Sequence, residues 1–278
     1  MARYFVAHTL EEALDVRTQG AAEIVAGGSD YFPAKSHNKP QGDILDVTRI
    51  AGFSDINETN EGWRIGAAVS FSALITAPFP PAFDGLKQAA RQIGSVQIQN
   101  VATLVGNICN ASPAADSVPV LLSMGAEIEI MSRNGPRQMP LGDFITGVRK
   151  TALMPGEIVT AVLIPKMPES VQSAFEKLGS RAYLVISIAM VAVLVEVAEG
   201  RISMLRVAVG ACSPIAVRLV ELEGELIGKP IADLDRFSVT AAHLAALSPM
   251  DDLRGSANYR LEAVAEITLR ALRRAAHA

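Results

Sequence analysis

Aromatic side chains are scarce in this chain. Phe, Trp and Tyr make up 5% of its 278 residues, with a single tryptophan, Trp63. That scarcity argues against a single-strand nucleic-acid binder, which stacks bases on aromatic platforms. Basic residues are not in excess either: 25 Lys and Arg stand against 29 Asp and Glu, a formal net charge of −4. The one basic cluster, Arg270, Arg273 and Arg274, reads as the cationic end of an amphipathic helix, so no nucleic acid is expected as a partner. Cysteine is limited to Cys109 and Cys212. Two cysteines make no disulfide framework, and their spacing fits no zinc pattern; both read as small buried hydrophobes. The four histidines, His8, His37, His243 and His277, show no ligand spacing, and no metal site is expected. The longest apolar run, Leu184 to Val195, is about a dozen residues, too short to span a bilayer. The first residues, MARYFVAHTLEEAL, lack an apolar signal core. The chain therefore reads as cytoplasmic and complete.

What replaces the aromatics is Ala, Val, Ile and Leu, in a chain that is 50% apolar. That fraction excludes disorder for most of the length and makes a sizeable core easy to bury. Thr9 with Glu12 forms a capping box, which predicts a helix to about Arg17. Ala22 to Ala26 and Ile44 to Val47 read as short strands. Trp63, Ile65, Ala67 and Val69 alternate as in a half-buried strand. Ser112-Pro113 predicts a helix start leading through Val118 to Met124. Ile128 and Ile130 alternate with Glu127 and Glu129 and lead into Asn134-Gly135, a hairpin signal. Ile164 to Ser170, with two prolines, is the best linker. Beyond it, Ile188 to Val197 and Ile202 to Val209 read as strands joined at Glu199-Gly200. Helices are expected from Ser213-Pro214 to about Leu226 and from Tyr259 to Arg274. A run of strands followed by helices reads as a separate α+β domain.

Two segments are suited to chemistry. In Val25-Ala26-Gly27-Gly28-Ser29-Asp30 a strand ends in two glycines. Glycines let the backbone approach a ligand and turn its N–H groups outward as an anion nest, which suits a pyrophosphate; an unliganded tight turn is the plainer reading. Asp30 would hold the loop or bind a hydroxyl. The dinucleotide GxGxxG pattern is absent. The second segment, Gly94 to Asp116, is dense in Asn, Gln, Ser and Thr. It is poor at packing a core and well suited to hydrogen-bonding a polar ligand, although a buried amide-rich loop would look the same.

Together these segments resemble the FAD-binding subunit of the xanthine dehydrogenase, or molybdenum hydroxylase, family. That family carries an AGGTDL-like loop and a GSxQIRNxATIGGNIxNASPAAD-like loop, both around FAD. Leu10 to Leu14 resembles its opening helix, Phe175 to Arg181 its FxKxxxR segment, and Asp252 to Arg260 its D-x-RGSAxYR signature. The resemblance implies an α+β fold of the PCMH/VAO-like type. An FAD-binding domain, residues 1–169, would consist of two small α/β subdomains, about 1–54 and 55–169. Residues 170–278 would form a C-terminal domain of antiparallel sheet plus helices.

The resemblance also implies roles for residues. Ile24, Val25, Ala26, Gly27, Gly28, Ser29, Asp30 and Tyr31 would wrap the FAD pyrophosphate. Ala102 belongs with Thr103, Gly106 and Asn107, which would form a second phosphate and ribityl clamp. Ile93, Gly94, Cys109 and Asn110 would line the same cleft. Asp116 would hold the adenosine side, Leu153 would touch the flavin or adenine, and Lys177 would approach the isoalloxazine. Three positions depart from the family pattern: Val105 replaces a Gly, which restricts the backbone where that turn approaches the phosphates; Gln99 replaces an Arg; and Ser187 stands where many members carry Asp. The implied function is electron transfer. Iron–sulfur centres on a 2Fe-2S small subunit would pass electrons to this FAD, and FAD to NAD or another acceptor, while a molybdopterin-binding large subunit hydroxylates the substrate. No catalytic residue of the chain's own is expected. Two other readings stand beside it: a stand-alone flavin oxidoreductase, for which no candidate base is present, and an FAD-free assembly homologue, motivated by Val105.

Overall fold

Thr9 caps the first helix as its sequence predicts. Its hydroxyl accepts from the Glu12 N–H at 3.2 Å, and the Glu12 carboxylate accepts in return from the Thr9 N–H at 3.3 Å. The computed structural model describes residues 2–20, 22–35 and 42–278; His37 lies outside them. Helix α1 (Leu10–Gln19) buries Ala13 and Leu14 in one apolar cluster with Leu45. Leu45 belongs to a three-stranded parallel sheet of β1 (Tyr4–Val6), β2 (Glu23–Val25) and β3 (Ile44–Asp46), in the order β1-β3-β2. A single helical turn, α2 (Tyr31–Ala34), follows β2.

A five-stranded antiparallel sheet comes next. It contains β4 (Ile56–Thr59), β5 (Gly62–Gly66), β6 (Glu127–Ser132) and β7 (Gly135–Pro140). Asn134-Gly135 turns β6 into β7 as the dipeptide predicts, with Gly135 at φ 110°. A small hairpin of β8 (Ile145–Gly147) and β9 (Lys150–Thr151) precedes β10 (Ile158–Pro165), which completes the order β4-β5-β10-β6-β7. β10 is the central strand, and sequence reading passes over it. It is buried on both faces and so shows no alternation. Ile164 and Pro165, taken from sequence as the start of a linker, pair with Trp63 and Gly62.

Between β5 and β6 run α3 (Phe71–Thr76), α4 (Asp84–Arg91), α5 (Val96–Val101), α6 (Leu104–Asn110) and α7 (Ser117–Met124); α8 (Leu141–Phe144) follows β7. The helix expected at Ser112-Pro113 begins five residues later, at Ser117. The Ser112 hydroxyl closes only a turn, accepting from the Ala114 N–H at 3.3 Å, and its carbonyl accepts from Ala115.

The C-terminal sheet is an antiparallel meander of β11 (Gln172–Leu178), β12 (Ala189–Ala198), β13 (Arg201–Gly210) and β14 (Val217–Arg218). Glu199 and Gly200 join β12 to β13 with φ of 53° and 71°, the left-handed pair of a tight hairpin. β12 is the reason for the long apolar run. Met190, Ala192 and Leu194 enter the core shared with the N-terminal helices, while Val191, Val193 and Val195 enter a second core. That second core holds Val264, Ala271 and Leu272 of α10 (Ala257–Ala276). The helix expected from Ser213 is corrected: α9 spans Val220–Leu226. The Ser213 hydroxyl accepts instead from the Ser248 N–H at 2.9 Å. Arg260, in the signature near the C-terminus, is buried. Its guanidinium donates to the carbonyls of Ile188 and Ala211 and to Asp252, at 2.5, 2.8 and 2.6 Å, tying α10 to the ends of the sheet.

Glu157, just before β10, is buried and accepts from Arg137 Nε and Nη2 at 2.6 and 2.7 Å and from the Met154 N–H at 2.7 Å. These bonds, Arg137's foremost, hold its carboxyl below the usual range against the opposing effect of burial. A carboxyl whose folded value is depressed stabilises above its unfolded value, about 4.3, and loses that contribution as pH falls through the folded one. The stability advantage of the wild type over Glu157→Gln is therefore expected to be constant from pH 6 to 8. It should shrink below about pH 4; urea unfolding at each pH measures it, and an undiminished gap at pH 3 contradicts the assignment.

Candidate functional site

Two chain reversals make facing walls of one cavity. The first follows β2, where Gly28 takes φ 66°. A Cβ on Gly28 would stand 2.6 Å from the Phe32 ring, and one on Gly27 would stand 1.8 Å from the Val101 carbonyl oxygen. Only glycine lets the two segments press together there. Among the described residues, the N–H groups of Gly27, Gly28, Ser29 and Asp30 donate to no protein acceptor. Successive unpaired N–H groups around a left-handed residue form an anion nest.

The second wall is the amide-rich segment, which folds as two short helices rather than a loop. Thr103 caps α6, accepting from the Gly106 N–H at 3.0 Å. A Cβ on Gly106 would stand 2.8 Å from that hydroxyl. Val105 takes no positive φ, and its side chain packs into the first core. Its N–H finds no protein acceptor among the described residues, so the β-branched residue leaves the helix start intact and its donor free. Gln99 is buried and donates to the carbonyls of Arg91 and Ile93, both at 3.1 Å. It holds the turn that carries Ile93 and Gly94.

The two walls are tied together. Asp30 Oδ2 accepts from Asn110 Nδ2 at 2.7 Å, and Arg149 Nη1 donates to Asn110 Oδ1. Asp30 thus holds the loop, the first of its two expected roles. Asn107 Oδ1 accepts from the Ser117 hydroxyl at 2.7 Å, linking α6 to α7. Burial pushes the Cys109 thiol up to about 12, and the Cys212 thiol likewise to about 12. Both stay neutral and are poor nucleophiles.

A buried ion pair closes one part of the cavity. Lys177 Nζ on β11 lies 2.6 Å from Asp116 Oδ2, and each side chain is 5% exposed. The Ser187 hydroxyl donates to the other carboxylate oxygen at 2.5 Å. Burial pushes the Asp116 carboxyl above its usual range, opposed by the Lys177 charge and by both hydrogen bonds. An aspartate at position 187 would face Asp116 with like charge; serine donates instead. The sequence expectation put Asp116 at the adenosine and Lys177 at the isoalloxazine. The structure brings the two side chains into direct contact.

Every residue nominated from the sequence lines a single cavity of about 740 Å³, from Ile24 through Tyr31 to Ile93, Gly94, Ala102, Thr103, Gly106, Asn107, Cys109, Asn110, Asp116, Leu153 and Lys177. That volume is in the range of small-molecule and cofactor sites, about 300–1,000 Å³. Sequence reasoning missed Arg17, Phe71, Gln92, Ile158, Val159 and Ile186, which line it as well. Ile158 and Val159 lie in the unrecognised β10, and Arg17 reads in sequence as an ordinary cation in the last turn of α1. Among the described residues, no group of three or more His, Cys, Asp or Glu is placed to hold a metal ion, and no helix is long and apolar enough to cross a membrane.

Comparisons with known proteins agree with this geometry. Residues 1–167 match the family described as FAD binding domain in molybdopterin dehydrogenase, and residues 173–275 match the CO dehydrogenase flavoprotein C-terminal domain. The xanthine dehydrogenase FAD-binding subunit of Escherichia coli O157:H7 is 33% identical over 275 residues, covering 96% of this chain and 93% of that one. The 6-hydroxypseudooxynicotine dehydrogenase complex subunit alpha of Paenarthrobacter nicotinovorans is 29% identical over 280 residues, covering 99% and 94%. Among solved structures, reconstituted CO dehydrogenase from Oligotropha carboxidovorans superposes with a TM-score of 0.92 at 26% identity, covering 100% of this chain and 98% of that chain.

The ion pair generates a test of its own. Asp116→Asn leaves Lys177 buried without its partner and is expected to cost about 3–5 kcal/mol of stability. Combining Asp116→Leu with Lys177→Met removes both charges, and the double variant should recover a large part of that loss. Urea unfolding of the flavin-free chain measures both; a single variant as stable as the wild type contradicts the pairing.

Proposed function

The chain belongs to the family of FAD-binding domains in molybdopterin dehydrogenases, and from that membership we propose that it carries FAD extended through this cavity as the electron-transfer subunit of a molybdenum hydroxylase. One observation carries the proposal. The nest at Gly27 to Asp30 and the start of α6 at Thr103 to Gly106 face a common space, with unpaired N–H groups on both sides. The residues present fit FAD: the free donors suit its pyrophosphate, and Phe71, Ile158 and Val159 offer apolar surface for its rings.

When bound, FAD supplies the redox chemistry. The chain's own residues bind and orient it. Gly27, Gly28, Ser29 and Asp30 hold the pyrophosphate, and Thr103 keeps the α6 start in place opposite them. Asn110, fixed between Asp30 and Arg149, keeps the walls at their spacing. The Asp116–Lys177 pair would hold the isoalloxazine end, a carboxylate and an ammonium offering it an acceptor and donors. Leu153 and Ile186, both lining the cavity, would offer the rings apolar contact. Electrons would enter from a 2Fe-2S small subunit and leave to NAD or another acceptor, with the substrate handled on a molybdopterin-binding large subunit. Supporting the assembly, the matched relatives include named subunits of dehydrogenase complexes, and the chain covers more than nine-tenths of the length of those described above. In this reading the FAD-binding part runs to residue 169, with the C-terminal sheet and helices as a second domain over 170–278.

The visible absorption spectrum of the purified chain tests the proposal. Flavin bands, present as isolated or after FAD is added, are expected; their absence in both cases overturns it. Gly28→Val places a side chain at φ 66° and 2.6 Å from Phe32. It should lower FAD affinity about tenfold or more, given a left-handed penalty of about 1–2 kcal/mol before any clash. Unchanged flavin content in a folded Gly28→Val chain overturns the role of the loop.

A further inference from the structure

The cavity has a second polar end that no family signature marks. Arg17, in the last turn of α1, lines the cavity. Its guanidinium is anchored by one hydrogen bond, Nη1 to the Ala22 carbonyl at 2.6 Å. Among the described residues its Nε is buried with no partner. Among the described residues Arg17 forms no ion pair; the nearby carboxylate of Glu23 is taken by Lys35 and by the Tyr31 hydroxyl. Nε is shut off by protein, so it is Nη2, which has no protein acceptor among the described residues and is not shut off, that a ligand in the cavity can reach. A charged donor gains more from a ligand acceptor than a neutral one.

Position decides which part of a ligand Arg17 meets. Ala22 precedes β2 and Gly27 follows it, five residues on, or about 16 Å along an extended strand. The anchored guanidinium therefore sits well away from the phosphate nest. It belongs to the N-terminal sheet, whereas Lys177 and Asp116 join the C-terminal sheet to α7. An extended dinucleotide with its pyrophosphate at the nest has one arm toward each end. With the isoalloxazine at Lys177, the other arm is adenosine. Adenine presents ring nitrogens that accept hydrogen bonds and a flat face; a guanidinium presents a planar set of donors and stacks on aromatic faces.

We infer that Arg17 is a positioning residue that grips the adenosine half of FAD and gives the site its preference for FAD over FMN; this rests on the placement of FAD proposed above. The test uses the flavin-free full-length chain, titrated with FAD and with FMN and followed by flavin fluorescence. The wild type should bind FAD more tightly than FMN, and ADP should compete with FAD. Arg17→Ala should raise the FAD Kd about tenfold or more, leave the FMN Kd unchanged and weaken competition by ADP by a similar factor. Arg17→Lys, which keeps the charge and loses the planar fork, should recover only part of the affinity; it decides the matter if Arg17→Ala does not fold. An unchanged FAD Kd in a folded variant overturns the inference while leaving the FAD site standing. Equal weakening of FAD and FMN also overturns it, since Arg17 then supports the fold or the isoalloxazine. A wild-type chain that takes neither flavin overturns the reading beneath it.

Discussion

The contact between Lys177 and Asp116 is where the separate parts of this molecule become one site. Lys177 comes from β11 of the C-terminal sheet, Asp116 from the start of α7, and Ser187 from the segment leading into β12. Two buried charges are tolerated only when each has the other within reach and further hydrogen bonds complete their shells. Holding that geometry requires α7 to stay pressed on β12 and β13, and β11 to stay beside α4. The structure provides both. Gly85 and Phe175 are fixed across that second junction by Ser173 and Gln88, at 2.8 and 2.9 Å, and Leu121, Met124 and Met190 share one core. The cavity wall is thus made rigid by packing well away from it.

At the opposite wall the constraint is backbone geometry rather than charge. Gly27 and Gly28 matter because a side chain at either would collide with its neighbours, and because the N–H groups around them are left for a ligand. The two walls rest on different physics: unpaired backbone dipoles at one, a buried ion pair at the other.

Much of this was legible in the chain, and the reason is locality. The capping box at Thr9 and the turns at Asn134-Gly135 and Glu199-Gly200 are decided by groups within four residues of one another, so their chemistry is readable in the order of letters. Glycine pairs and amide density marked the two loops in the same way, whereas residues such as Leu153 and Lys177 were nominated through the resemblance to a family. Where sequence reasoning failed, a local signal met a distant competitor. Ser213-Pro214 is a good helix start, yet the serine hydroxyl is engaged by Ser248, 35 residues on. β10 carried no alternation to read, because both of its faces are covered.

The sequence by itself pointed to an FAD-binding family through its two loops and to β12 and β13 with the hairpin between them, since each depends on residues close together along the chain. Tertiary structure alone decided that Asp116 and Lys177 meet, that Val105 leaves its helix start undisturbed, and that Arg17 turns a helix-end cation into part of the cavity. Those outcomes depend on which elements are brought side by side. Packing determines that across separations of tens of residues, which no spacing in the chain records.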